Sequence, residues 1–146
     1  MKIMHIATLA ITLLAGTVCW AAVSPSQVGS YAGTLKVTAY FDGGGKQVSS
    51  VQMLMNIAQD GGAIFTINGA QWPTAGNNQP PIYTGTEAVC ALIDPTQPDL
   101  NVFILTVFHF KGTSIKGRML GLYNVSPPPS AIFVKSTDAK FTLKKL

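Results

Sequence analysis

The chain has 146 residues, room for one domain, with a net charge of +4 and only 11% charged residues. Two cysteines and two histidines exclude both a disulfide framework and a multi-histidine zinc centre. The charge is uneven: from Ala22 to Phe110, Lys36 and Lys46 stand against five acidic residues, whereas from Lys111 to Leu146 seven basic residues stand against Asp138 alone.

Met1-Lys2-Ile3-Met4-His5 is a short basic segment, Ile6 to Val18 is apolar, and Cys19-Trp20-Ala21 places small residues at the positions a signal peptidase reads. The expected organisation is a signal peptide over 1–21, then a single β-barrel domain over 22–146, exported to a periplasm or the exterior. An uncleaved anchor is the competing reading. Ser24-Pro25-Ser26 and Gly29-Ser30 oppose it by breaking the apolar run near the lower limit for a spanning helix. Cleavage leaves Cys90, Trp72 and His109 as the sole residues of their kinds. Cys90, in Ala88-Val89-Cys90-Ala91-Leu92, reads as a small buried hydrophobe.

Ser30 to Phe41 alternates, with Tyr31, Gly33, Leu35, Val37, Ala39 and Phe41 on one side, as a half-buried strand does. Asp42-Gly43-Gly44-Gly45-Lys46 turns the chain. Gln47 to Gln59 follows with Val51, Met53, Met55 and Ile57 toward the core; a helix over Val51–Ala58 fits less well than period two. Asp60-Gly61-Gly62 is a hairpin turn and Ala63 to Asn68 a third strand. Gly69 to Pro81 is read as a long loop without a partner. Ile82 to Ile93 is a strand, and Asp94 to Asp99 a rigid loop. The strongest signal is the hairpin Asn101–Tyr123. A two-residue Gly112-Thr113 loop sets Phe110 opposite Ile115, Phe108 opposite Gly117, Thr106 opposite Met119 and Ile104 opposite Gly121. The other face then carries Phe103, Leu105, Val107 and His109 opposite Leu122, Leu120, Arg118 and Lys116, so both faces are apolar and the outer one calls for a cover. Pro127-Pro128-Pro129 lies in a loop, and Ala131–Lys135 and Lys140–Lys144 are two last strands joined through Thr137-Asp138-Ala139.

These elements make an all-β protein, an antiparallel meander of about eight strands closing into an up-and-down barrel, with a two-sheet sandwich as the alternative. Gly29-Ser30-Tyr31 resembles the Gly-x-Trp that opens the first strand of calycins, the lipocalin- and avidin-type barrels, with Tyr31 in place of tryptophan. Gly33-Thr34, Gly85-Thr86 and Gly112-Thr113 suit tightly curved strands. The resemblance implies barrel architecture and carries no binding residue.

Chemistry is sparse. His109 falls beside Lys116 on the outer face with no obvious carboxylate to orient it, so a structural histidine is expected there rather than the base of a triad. The aspartates sit at turns, Glu87 alone lies within a strand, and a glycosidase needs a facing pair. Asn124-Val125-Ser126 is a formal glycosylation sequon. The expectation is a non-enzymatic, exported binding protein without cofactor or metal, holding a small apolar or amphiphilic ligand, or a sugar, at the barrel mouth. Its candidate site residues are Trp72 as an aromatic plate, Asn77 and Asn78 as amides, and Lys46 and Lys111 as rim cations, the alternative being that Trp72 folds under its own loop as a plug for the barrel end. The alternative is an envelope-structural or inhibitor-like interaction module. It would meet a protein partner or a second copy through Phe103, Leu105, Leu120 and Leu122, aided by the basic C-terminal strands. Nucleic acid does not suit the compartment, and lysines in Phe141–Leu146 oppose a membrane-spanning barrel.

Overall fold

The computed structural model describes residues 23–96, 103–123 and 134–146. The signal peptide over 1–21, the sequon at Asn124, the Pro127–Pro129 loop and most of the Ala131–Lys135 strand lie outside the described residues, as does the side chain of Phe103.

The strands are β1 (Gly29–Phe41), β2 (Lys46–Ile57), β3 (Ala63–Ile67), β4 (Ala70–Trp72), β5 (Ile82–Thr84), β6 (Glu87–Ile93), β7 (Phe103–Lys111), β8 (Ser114–Leu122) and β9 (Val134–Lys145). They form one antiparallel sheet of nine strands in the order β4-β3-β2-β1-β9-β8-β7-β6-β5. Sequence neighbours pair except for β4 and β5, which stand at the two ends of the order, and the β1–β9 ladder joins the two wings. The sheet curls into a half-barrel with β4 and β5 as the end strands of its order. The curl brings Phe65 of β3 within 6.1 Å, centroid to centroid, of Phe108 on β7.

The central hairpin has the register the sequence implied: Phe110↔Ile115, Phe108↔Gly117, Thr106↔Met119 and Ile104↔Gly121. Three expectations differ. Residues 137–139 do not turn, and β9 runs unbroken to Lys145 against β1. The expected strand over 82–93 is two, folded at Gly85-Thr86, with Gly85 at φ 64. Within the expected 69–81 loop, Ala70–Trp72 pairs with β3 as β4. Its turn is Asn68-Gly69, with φ values of 50 and 80, the left-handed pair a two-residue hairpin requires.

Two of those corrections are linked. β5 lies against the lower part of β6, with Ile82 opposite Val89, and Thr74 bridges Leu92 farther up that same edge. The Ile93 amide also donates to the Pro73 carbonyl at 2.9 Å. β4 and β5 are therefore two halves of one interrupted strand, β4 holding β3 and β5 holding β6. Residues 75–81 bulge from the wall between them. Their single helical turn, Ala75–Asn78, has left-handed backbone at Gly76, Asn77 and Asn78.

The concave side is the core. Tyr31, Phe65, Tyr83, Phe108 and Phe110 are all buried and their rings meet at 5.7–6.4 Å. Glycines make room: a Cβ at Gly117 would lie 2.7 and 2.8 Å from Cε1 and Cε2 of Phe141, the neighbour on β9. One end is closed by the segment before β1. There Gln27 Nε2 donates to the Gly85 carbonyl at 3.0 Å, and the Tyr31 hydroxyl donates to the Gln27 carbonyl at 2.9 Å. At the other end the buried Asp94 accepts from Thr96 N at 2.8 Å, Thr96 Oγ1 at 2.6 Å and Tyr123 OH at 3.1 Å, which pins the end of β6 to the end of β8.

Candidate functional site: two grooves on the outer face

The five residues expected to ring a mouth do not share one. Lys46 is opposite Tyr40 on β1, whereas Lys111 connects through Ser114 and Lys144 to the level of Ala32. Those levels are eight residues apart on β1, about 26 Å along the strand. The lysines sit at opposite ends because the expected strand over 82–93 folds back at Gly85-Thr86, which adds one reversal of the chain between Lys46 and Lys111 and changes the loops that share an end. Trp72 is opposite Phe65 and packs against the core instead of covering a rim. Its indole Nε1 is buried with no hydrogen-bond partner among the described residues. Asn77 and Asn78 are exposed on the wall bulge. The Cys90 thiol, packed against the core, is pushed up to about 12 by burial, the behaviour of a structural thiol.

What the sheet does assemble lies on its convex side. Leu105 and Leu120 are opposite one another on β7 and β8, with Ala91 beyond Leu105 on β6. Val107 lies between Val89 and Arg118. Leu105, Val107, Leu120 and Leu122 are 49, 46, 39 and 76% exposed, so among the described residues nothing supplies the expected cover. Leu105, Val107 and Leu120 line a groove of about 480 Å³. Its charged rim is a cross-strand row, Glu87–His109–Lys116, together with Arg118. Sequence reasoning found Lys116 beside His109 but missed Glu87 on the other side. That register followed only once the strand over 82–93 was divided at Gly85.

Arg118 is held. Its Nε and Nη2 donate to the two Asp138 oxygens at 2.8 and 2.7 Å, the single ion pair among the described residues. This bidentate bond raises the Arg118 pKa and holds the Asp138 carboxyl below its ordinary range. The guanidinium is thereby fixed between the apolar groove and a second groove, also of about 480 Å³, over β9, β1 and β2. Lys36, Lys140 and Lys144 edge that second groove, and Ala32, Thr34 and Thr142 floor it. No group of three or more metal-ligating side chains occurs among the described residues.

Fold and surface together define an all-β protein with a single curled antiparallel sheet, compatible with a barrel, whose concave side carries the buried aromatic core. No family model, curated protein or solved structure matches the chain.

Proposed function

We propose that this is an exported, non-enzymatic interaction module of calycin-like form, which grips a partner protein through the outer groove of β7 and β8. The observation that carries the reading is the pairing of an exposed apolar floor, Leu105, Val107 and Leu120, with a charged rim. That is the anatomy of a protein interface: an apolar centre that excludes water and a polar margin that sets orientation. Exposed leucines opposite one another on adjacent strands are also an association hazard, one a free-standing surface would be expected to avoid. A small amphiphile in the concave interior has less support. Aromatic rings in edge contact occupy that side, and the residues expected to receive the ligand are dispersed.

A photo-crosslinking side chain at position 107, in cells that make the protein, tests this directly. A discrete adduct is expected, lost in Leu105→Lys/Leu120→Lys and absent when the crosslinker replaces Lys46. Equal adducts from positions 107 and 46 would refute the groove. Titration with fatty acids serves as the other arm, because Trp72 is the sole tryptophan beyond the leader and packs against the core. A saturable change in its emission would favour the interior reading.

A further inference from the structure

Five cations crowd the outer face of three adjacent strands. Arg118, Lys140 and Lys36 stand directly opposite one another across β8, β9 and β1. Lys116 is opposite Thr142, and Lys144 is opposite Ala32, one outward position farther along at each step. All five are exposed. Like charges directly opposed on neighbouring strands destabilise a sheet. Among the described residues of these strands, Asp138 is the only offsetting carboxylate, and it is engaged by Arg118. Lysines on strands commonly blunt a sheet edge, yet β8, β9 and β1 occupy the middle of the strand order, where no edge needs protection. The surface between the lysines is small and hydroxylated. Thr34 and Thr142 are opposite one another, and Ser50 continues the row beyond Lys36.

We propose that this groove binds a linear acidic polysaccharide, a polymer carrying one carboxylate per sugar, laid across β8, β9 and β1. The inference stands apart from the apolar groove and does not need it. Adjacent strands are about 4.8 Å apart, so Lys140 and Lys36 present cations one strand step apart, an interval suited to successive acidic pyranose units, with Arg118, whose charge Asp138 offsets, at the next step. The Thr34 and Thr142 hydroxyls supply donors and acceptors for sugar hydroxyls beneath the charged groups. A bilayer fits the groove poorly: the face is convex, and the Thr34, Thr142 and Ser50 floor offers nothing to insert among acyl chains.

Binding to polygalacturonate, measured by calorimetry and by retardation in polymer-containing gels, tests the assignment. Neutral dextran and vesicles of phosphatidylglycerol with phosphatidylcholine are the comparison arms. The expected result is saturable binding to polygalacturonate that weakens as salt is raised, with none to dextran. Each exposed lysine removed should weaken it about 1.5- to 5-fold, so Lys36→Gln/Lys140→Gln/Lys144→Gln should lose about 3- to 100-fold. Thermal stability should be kept, because the three side chains are exposed and one opposed pair is relieved. Lys46→Gln/Lys111→Gln should bind as the native protein does. Leu105→Lys/Leu120→Lys should retain polygalacturonate binding, which separates this site from the apolar groove. Undiminished affinity in the triple variant, or binding to the vesicles with none to polygalacturonate, would overturn the proposal.

Discussion

Replacing Gly117 with alanine probes the curl of the sheet at its tightest contact. A Cβ there would stand 2.7 and 2.8 Å from two carbons of the Phe141 ring, well inside van der Waals contact. The ring cannot easily withdraw, because Phe141 is 3% exposed and Gly117 pairs with both Phe108 and Phe141. Overpacking of this kind costs about 1–3 kcal/mol, and the upper part of that range is expected for a ring held on both sides. Phe141→Leu alone should cost about 1–2 kcal/mol through lost burial. Combined, the substitutions should cost at least about 1 kcal/mol less than the sum, since the smaller side chain makes room for the new methyl. Urea unfolding of the four proteins measures that coupling. Gly44→Ala, where a Cβ meets nothing within 4 Å, controls for the change of residue type, although its φ of +87 adds strain of its own. Strict additivity, or a neutral Gly117→Ala, would mean that Phe141 does not fill the space above Gly117 and that the sheet curls differently.

Alkaline titration should reveal the buried acids. Burial holds Cys90 and Tyr123 up at about 12, against ordinary values of 9.0 and 10.0, and raises Tyr83 as well. Each is favoured neutral when folded, so stability should be flat below about pH 9 and fall as pH rises toward 12; an unchanged urea midpoint up to pH 11 would contradict this. Trp72→Phe removes a buried N–H that has no partner among the described residues, worth about 1–3 kcal/mol, along with part of a packed ring. The two effects oppose one another, so a net loss below about 1.5 kcal/mol is expected in thermal unfolding, and a loss above about 3 kcal/mol would show that the indole nitrogen has a partner.

Much of the sheet was legible because period-two alternation marks which side of a strand is buried. Tyr31, Leu35, Met53 and Met55 all point inward as their spacing required. The hairpin register was legible too, because Gly112-Thr113 fixes it by loop length. What failed was punctuation. Asn68-Gly69 is a strong hairpin signal, masked by the polar, proline-rich residues after it, which have the composition of a loop. Gly85-Thr86 resembled the Gly33-Thr34 pair inside β1, although only Gly85 takes a left-handed φ. At the end of the chain, Thr137-Asp138-Ala139 has turn-like composition, but Asp138 pairs with Leu120, reaches diagonally to Arg118 and remains in the strand. Parity of turns decides which loops share an end, so these local errors dispersed the expected site. The outer grooves depend on cross-strand neighbours, and those appear only when every register is known.

Carbene footprinting of Leu105, Leu120 and Leu122 tests the central claim most directly, comparing the purified protein with the protein in the envelope or medium of its own cells. The outer-groove reading predicts heavy labelling of all three when purified and protection of Leu105 and Leu120 in the native setting, with the buried Phe108 unlabelled in both. Equal labelling of Leu105 and Leu120 in the two settings would show that no partner occupies the groove, and would contradict it.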